Sequence, residues 1–436
     1  MRQSDEPPET RHLQMRFPSL NMNFDLHLGR RSNAALVGLD IQPGFVAAVQ
    51  AHVNGKIVAD RAAALPLAAD TVRDGEVADE GALSDTLREL FADSGLGKRV
   101  RVGVANQRTV LRTLELPPLT DQKELRAAVE FQAQEQVPMP LSNAVLDFHP
   151  LGIIDTPAGP RQRVVLVAAQ RDMIERLLAA VRNAGLSPEG VDLSAFALIR
   201  SLYRPEADGS GRVLYLNVDG LTNLAIAEGT VCRFTRVVGG GLEGLASDLA
   251  ARRGISVAEA HALLAEVDLN APAPAAPEAA VAEQAYPDEE ASEEEAPGEE
   301  APEDDALDDG VDFEARERSM SYEEMAAVEH TQAPSQPPAS DAEVVDVLEN
   351  GIREISGEVR NSLDFHRSQD GGGEVSHVVL SGAAQDIPGF AAALEVSLGV
   401  EVRSEAVGLA DERLAGTVST NRLSVAAGLA TTEAPQ

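Results

Sequence analysis

Side chains able to do chemistry are sparse in this chain, and the familiar catalytic constellations are missing. Cys232 is the only cysteine, so an intramolecular disulfide is excluded and a cysteine-based metal site has no second ligand; the residue reads as a core or semi-buried thiol. The eight histidines are scattered, and His149 and His366 read as structural. No Ser-His-Asp set, metal-ligand spacing or Walker-type loop occurs. Asp147 and Asp192 read as cap or turn residues. What remains are carboxylates, amides and glycines at the ends of apolar runs. Asp40 closes Ala34–Asp40 and is followed by Ile41 and then Gln42-Pro43-Gly44. The others are Asn217-Val218-Asp219-Gly220-Leu221-Thr222, the run Gly239-Gly240-Gly241, and Gly382-Ala383 within Leu380–Ala384. Residues of this kind acquire a role only from the elements that hold them.

A chain of 436 residues is too long for one ordinary core and predicts two or three folded units at about 100–200 residues each. Aromatics make up only 3% and Trp is absent, so the cores must be built from Ala, Val, Leu and Ile. No apolar run approaches the ~20 residues of a transmembrane helix, and residues 1–33 read as a disordered arm without the apolar region of a signal peptide. These features predict a cytoplasmic protein. The net charge of −35 is uneven: residues 268–340 hold 22 acidic and 2 basic side chains, or −20, which leaves −15 for the rest. With no basic surface for phosphates, nucleic acid is excluded as a partner.

Order begins at Ala34. Phe45–His52 and Lys56–Ala59 flank Asn54-Gly55, a hairpin signal. A helix over Glu80–Ser94 and a strand over Arg99–Ala105 follow. Next comes a β-α-β-β-α unit: strands Val110–Leu116, Val145–Ile154 and Gln162–Ala169, a helix from an N-cap at Thr120 to Gln136, and a helix over Asp172–Ala184. A second start appears at Arg212–Val218, Leu224–Ala227 and Val231–Val238, with helices Leu242–Arg253 and Val257–Glu266. After the acidic tract, which is too poor in apolar residues to offset its chain entropy and holds one helical stretch at Met320–Val328, order returns with the helix Ala342–His366. A strand Val375–Leu380, a helix Gly389–Leu398, a strand Val400–Arg403 and a short helix Leu423–Ala430 complete it. Two similar α/β lobes, each opened by a hairpin, predict a two-lobed actin-like ATPase (RNase H-like) fold with its cleft between the lobes. The expected divisions are a first lobe at 34–105 and 184–210 with a small inserted subdomain at 106–183, and a second lobe at 211–267 and 341–430. A disordered acidic insertion occupies 268–340, and 431–436 is a tail. The insertion reads either as a solvated spacer or as an electrostatic recruiter of neighbours.

The motifs in order, Val37–Ile41 (VGLDI), Leu114–Pro118 (LELPP), Glu130–Pro140 (EFQAQEQVPMP), Leu146–His149 (LDFH), Val164–Ala169 (VVLVAA), Val191–Leu198 (VDLSAFAL), Phe234–Leu242 (FTRVVGGGL), Asn361–Phe365 (NSLDF), Val378–Ala383 (VVLSGA) and Ser424–Leu429 (SVAAGL), resemble the type IV pilus assembly protein PilM family. The resemblance implies ATP and Mg²⁺ in the cleft. Asp40 would hold the metal through water, and Gln42 and Gly44 would form the first phosphate turn. Asn217, Asp219, Gly220 and Thr222 would form the second. Gly382 and Ala383 would lie at the purine, while Gly239 and Gly240 would line the cleft or lead into the next helix. Several positions depart from the pattern. Pro43 lacks an N–H, no hydroxyl follows Asp40, Asn217 replaces a carboxylate, and Asp219 stands where Gly is usual; the first turn thus reads equally as a plain hairpin. The resemblance further implies a scaffold with a weak or degenerate ATPase site. It would bind the cytoplasmic N-terminal peptide of a PilN-like membrane protein at 106–183, meet a PilO-like protein and the assembly motor indirectly, and reach the membrane only through partners; a homo-oligomer is compatible with this. The alternatives are an active Mg-ATP-dependent switch, an FtsA-like division protein, disfavoured by a short polar C-terminus, and a sugar kinase by fold alone.

Overall fold

The computed structural model describes residues 36–205, 211–271, 342–369, 371–411, 413–414 and 418–432. All of them belong to the unit formed by residues 1–272 and 340–436; residues 273–339 make up a second unit, none of which is described. The expected N-terminal arm at 1–33, most of the acidic insertion and the stretch Met320–Val328 therefore lie outside the described residues.

Two sheets repeat one topology. In the first lobe β1 (Val37–Gln42), β2 (Phe45–Asn54) and β3 (Lys56–Pro66) form an antiparallel meander. β6 (Arg99–Val104) then pairs parallel with β1, and β10 (Ser187–Leu193) parallel with β6. In the second lobe β11 (Arg212–Val218), β12 (Thr222–Glu228) and β13 (Val231–Val238) form the meander, and β14 (Val375–Ser381) and β15 (Val402–Ser404) add parallel strands beside β11. Strand order is thus third, second, first, fourth, fifth in both lobes. A two-residue strand β16 (Gly408–Leu409) pairs with β3 and extends the first sheet. The small hairpin β4 (Val72–Arg73) and β5 (Glu76–Val77) lies apart from both sheets.

The helices cover these sheets because their apolar stripes have nowhere else to go. α1 (Glu80–Ala92) is capped by Asp79, whose side chain accepts from the Ala82 N–H, and buries Leu83, Leu87 and Leu90. α5 (Gly241–Arg253), α6 (Val257–Ala265) and α7 (Ala342–Ser368) pack their apolar residues with those of β11, β12 and β14 in one second-lobe core. α6 opens with a capping box between Ser256 and Glu259. α8 (Phe390–Leu398) joins the same core through Phe390 and Leu394.

The inserted subdomain is a three-stranded antiparallel sheet with β9 (Gly159–Gln170) between β7 (Val110–Leu116) and β8 (Ala144–Thr156). Alternate residues of β9 serve two cores. Val164, Leu166 and Ala168 pack with α2 (Gln122–Gln136), while Val165, Val167 and Ala169 pack with α3 (Arg171–Asn183) in the first-lobe core. α3 therefore welds the subdomain to α1.

Four expectations need correction. The N-cap of α2 is Asp121, not Thr120; its carboxylate accepts from the Lys123 and Glu124 N–H groups. β10 and α4 (Ser194–Leu202) were not among the expected elements. Asp192 is not a simple cap: it forms an ion pair at 2.5 Å with Arg200, both side chains at most 3% exposed. Residues 268–271, placed within the expected insertion, are described and join the second lobe: the Leu269 N–H donates to the Pro388 carbonyl at 2.9 Å.

α9 (Ser424–Ala430) lies on the first lobe, although it follows the second in the chain. Its small residues let it approach β1 and α4 at backbone distance: a Cβ on Gly38 would stand 1.8 Å from the Ala426 carbonyl oxygen. Two buried arginines hold its C-terminal end. Arg200 Nε donates to the Gly428 carbonyl, and Arg101 donates to those of Leu429 and Thr431. Cys232 is buried, with its thiol pushed up to about 12 by burial.

Candidate functional site

The hairpin turns of the two lobes face one another. In the first lobe β1 and β2 stay paired as far as Gln42↔Phe45, so the turn has only two residues. Pro43 followed by Gly44 at φ +74° is the pattern of a type II turn. Pro43 contributes no N–H, so Gly44 carries the single backbone donor within it.

In the second lobe β11 ends at Val218 and β12 starts at Thr222, leaving Asp219-Gly220-Leu221. The N–H groups of this turn are spent inside the protein. That of Asp219 donates to the Leu221 carbonyl at 3.1 Å, that of Gly220 to Asp219 Oδ1 at 3.0 Å, and that of Leu221 reaches Gln42 Oε1 at 3.5 Å. The two turns touch, since a Cβ on Gly220 would lie 2.3 Å from the Pro43 carbonyl oxygen. A third turn follows β14. There the Gly382 N–H donates to the Asn421 carbonyl at 3.0 Å and the Ala383 N–H to Asp219 Oδ2 at 3.3 Å.

Arg422 binds these parts together. It stands in the single 3-10 turn Thr420–Leu423 that precedes α9. Its Nη2 is 2.5 Å from Asp219 Oδ1 and its Nε 3.0 Å from Oδ2, a bidentate pair of the strong charge-assisted kind. The guanidinium also lies 3.7 Å over the ring of Phe45, where the ring's quadrupole attracts it. Beneath this junction Asp40 is buried and accepts from Gln42 Nε2 at 2.8 Å. Burial pushes the Asp40 carboxyl up to about 7; the Gln42 hydrogen bond and Arg422 pull against this, while Asp219 adds to it.

A cavity of about 670 Å³ adjoins the turns. Val257, Ala258, Ala262 and Ala265 of α6 give it an apolar wall, and Pro43, Gly44, Asp219, Gly220, Ala383 and Arg422 form its other side. Glu243 and His261 also line it, with Oε2 and Nε2 2.7 Å apart. Asp386, a further lining residue, accepts from Ser419 and Asn421.

Of the residues singled out by sequence, Gly44, Asp219, Gly220 and Ala383 come together on the cavity wall. Asp40 and Gln42 lie below it and connect to it through Leu221. Gly382 packs against the Val218 backbone. Asn217 and Thr222 are buried in β11 and β12 and are not part of the wall; the Thr222 hydroxyl has no partner among the described residues. Gly240 is the N-cap of α5, and Gly239 precedes it. Asp147, in β8, accepts from the Phe148 N–H and caps no helix; burial pushes its carboxyl up to about 6. Sequence reasoning missed Arg422, Glu243, His261 and Asp386. A lone arginine ahead of a small-residue helix was a signal for the first, but its partner lies 203 residues away.

The apolar end of the cavity suits a flat, uncharged group. The turn end does not offer what a magnesium-bound triphosphate needs, namely successive free N–H groups, a hydroxyl and carboxylates open to the metal; the one hydroxyl side chain among the cavity's described lining residues, Ser256 ahead of α6, donates to Glu259 at 2.7 Å. The N–H groups of the second turn and those of Gly382 and Ala383 are engaged, as are Asp40 with Gln42 and Asp219 with Arg422. Among the described residues of the wall, Arg422 is the one guanidinium or ammonium group, against the three carboxylates of Asp219, Glu243 and Asp386 in the same lining. No chemical step through a nucleotide follows from this donor set.

Comparison with known proteins gives the family. The model described as type IV pilus assembly protein PilM matches residues 38–263, just over half of the chain. Among solved structures the chain is similar to a PilM-PilN type IV pilus biogenesis complex at 20% identity and a TM-score of 0.64, covering 92% of this chain and 98% of that one. It is also similar to the ethanolamine utilization protein EutJ from Carboxydothermus hydrogenoformans (15% identity, TM-score 0.43, 91% of this chain and 89% of that one). A third is MreB5 of Spiroplasma citri bound to ADP (10% identity, TM-score 0.42, 91% and 95%). The first likeness supports the actin-like fold read from the repeated sheet topology.

Proposed function

This chain belongs to the type IV pilus assembly protein PilM family, and from that premise we propose that it is a docking component of the pilus inner-membrane platform, binding the cytoplasmic N-terminal peptide of a PilN-like membrane protein on its inserted subdomain. The observation that carries this reading is the extent of the family match: residues 38–263 include the whole subdomain. The similar solved structure is a complex of PilM with PilN.

The surface of the subdomain supports the reading in physical terms. Its sheet has β7 and β8 at its two edges, and neither pairs with a further strand among the described residues. Such edges present unpaired backbone groups to which an extended peptide can add, while side-chain pockets supply specificity. Two large apolar residues are exposed on this subdomain, Ile153 on β8 and Phe131 on α2, each 64% accessible. In this reading these two side chains would anchor the partner. Among the described residues no helix is long and apolar enough to cross a membrane. Attachment to the inner membrane would thus come through the partner, and any contact with a PilO-like protein, the assembly motor or a second copy of the chain would be organised around it.

In this reading the chain is a scaffold, and the cleft does no turnover. An ATP-driven switch would need donors that the three turns do not present. Affinity capture tests the docking claim: the full chain, immobilised, should retain a synthetic N-terminal peptide of the PilN-like partner and should not retain a scrambled one. Equal retention of both peptides, or of neither, would sink the proposal.

A further inference from the structure

Asp219 is a buried carboxylate at 2% accessibility, and such a group is costly unless donors meet it. Four do. The Gly220 N–H and Arg422 Nη2 reach Oδ1 at 3.0 and 2.5 Å, and the Ala383 N–H and Arg422 Nε reach Oδ2 at 3.3 and 3.0 Å. The donors come from three separate places in the chain: the turn after β11, the turn after β14, and the segment leading into α9. Backbone N–H groups converging from two turns, joined by a fork of guanidinium donors, form the set that recognises a phosphate oxygen pair. Here the oxygens belong to the protein.

We propose that Asp219 is a built-in anion. It occupies, from inside the chain, the place where the phosphate of an external ligand would be held, and through Arg422 and Phe45 it clamps the two lobes together without one. The clamp follows from where the parts stand. Asp219 is on the second lobe, Phe45 opens β2 of the first, and Arg422 touches both, with a bidentate pair on one side and a ring 3.7 Å away on the other. α9, which begins two residues after Arg422, is seated on β1 and α4 of the first lobe. A ligand phosphate would have to displace the Asp219 carboxylate and would meet Asp40 below it. The Asp219 carboxylate thus holds the donors that a phosphate oxygen pair would need. This inference concerns the cleft and stands whether or not the subdomain docks a peptide.

The test uses the full chain and inorganic pyrophosphate without metal, with thermal unfolding followed by circular dichroism. The wild type should show the same Tm with and without millimolar pyrophosphate. Asp219→Ala should unfold at lower temperature in plain buffer, because its donors lose their partner. It should then be restabilised by pyrophosphate, which it should bind at least about tenfold more tightly than the wild type does. The added change Arg422→Met should abolish that gain. A folded Asp219→Ala indifferent to pyrophosphate, or a wild type that binds it equally well, overturns the proposal. Arg422→Met alone tests the clamp even if Asp219→Ala does not accumulate: it should lower Tm in every buffer and remain indifferent to pyrophosphate, and an unchanged Tm refutes the clamp. Peptide retention, scored on the wild type in parallel, separates failure of this inference from failure of the docking reading.

Discussion

Asp40→Asn should change how stability depends on pH. The Asp40 carboxyl is 2% accessible and, among the described residues, has one side-chain donor, Gln42 Nε2 at 2.8 Å. Burial, its largest influence, raises it from 3.8 to about 7. The folded protein therefore keeps a proton on Asp40 that the unfolded chain has already released. The stability contributed by this proton is fully present below the unfolded value of 3.8, and it is lost as pH rises through the folded value of about 7. Integrated over the interval from about pH 5 to about pH 8, the wild type should lose roughly 2–3 kcal/mol from this group. Asparagine keeps the shape and has no proton to lose. The unfolding free energy of the variant minus that of the wild type should accordingly climb by roughly 2–3 kcal/mol over this range. Asp147, raised to about 6 by burial, titrates in both proteins and cancels in the difference. Urea unfolding followed by far-ultraviolet circular dichroism is the suitable assay, because the chain has no Trp to report by fluorescence. Parallel pH profiles for the two proteins would refute the reasoning.

Two further substitutions test the frame around the cleft. Asp192→Ala leaves Arg200, 1% accessible, without its carboxylate and should cost about 3–5 kcal/mol. Asp192→Leu combined with Arg200→Met should cost less than the sum of the single changes in a double-mutant cycle, and additive losses would contradict a coupled pair. Gly38→Ala puts a Cβ 1.8 Å from the Ala426 carbonyl and 2.6 Å from the Ala430 nitrogen, both backbone atoms that cannot rotate away. It should cost about 3 kcal/mol, read from the urea midpoint; an unchanged midpoint would mean that α9 is not seated on β1.

The meanders were legible in the sequence because their turns announce themselves. Asn54-Gly55 and Glu228-Gly229 each separate two apolar runs, and Gly55 and Gly229 have φ +65° and +59°. α7 was legible from its long stripe of Leu348, Ile352, Ile355, Val359 and Leu363, all buried. β10 escaped because Ser187-Pro-Glu-Gly190 has the composition of a loop; its parallel partner β6, nearly 90 residues earlier, makes it a strand. α4 escaped for the opposite reason: all nine of its residues are buried, so it has no polar face to set a helical period. Thr120 and Asp121 are both competent caps, and only the backbone path of the chain entering α2 decides between them. The turns of the cleft were legible as turns, and Asp219 stood out as a carboxylate where the family pattern has glycine. What the sequence could not show is what that carboxylate meets, since its cation comes from Arg422, at the far end of the chain.

The central claim is docking of a peptide on the inserted subdomain, and fluorescence anisotropy with a labelled N-terminal peptide of the PilN-like partner tests it most directly. The full chain should bind the peptide saturably, with the same affinity in the presence and absence of Mg-ATP. Either Ile153→Asp or Phe131→Asp, changes at side chains exposed to solvent, should weaken binding at least about tenfold while leaving Tm unchanged. Absence of saturable binding, binding that requires ATP, or affinity untouched by both substitutions would contradict the account.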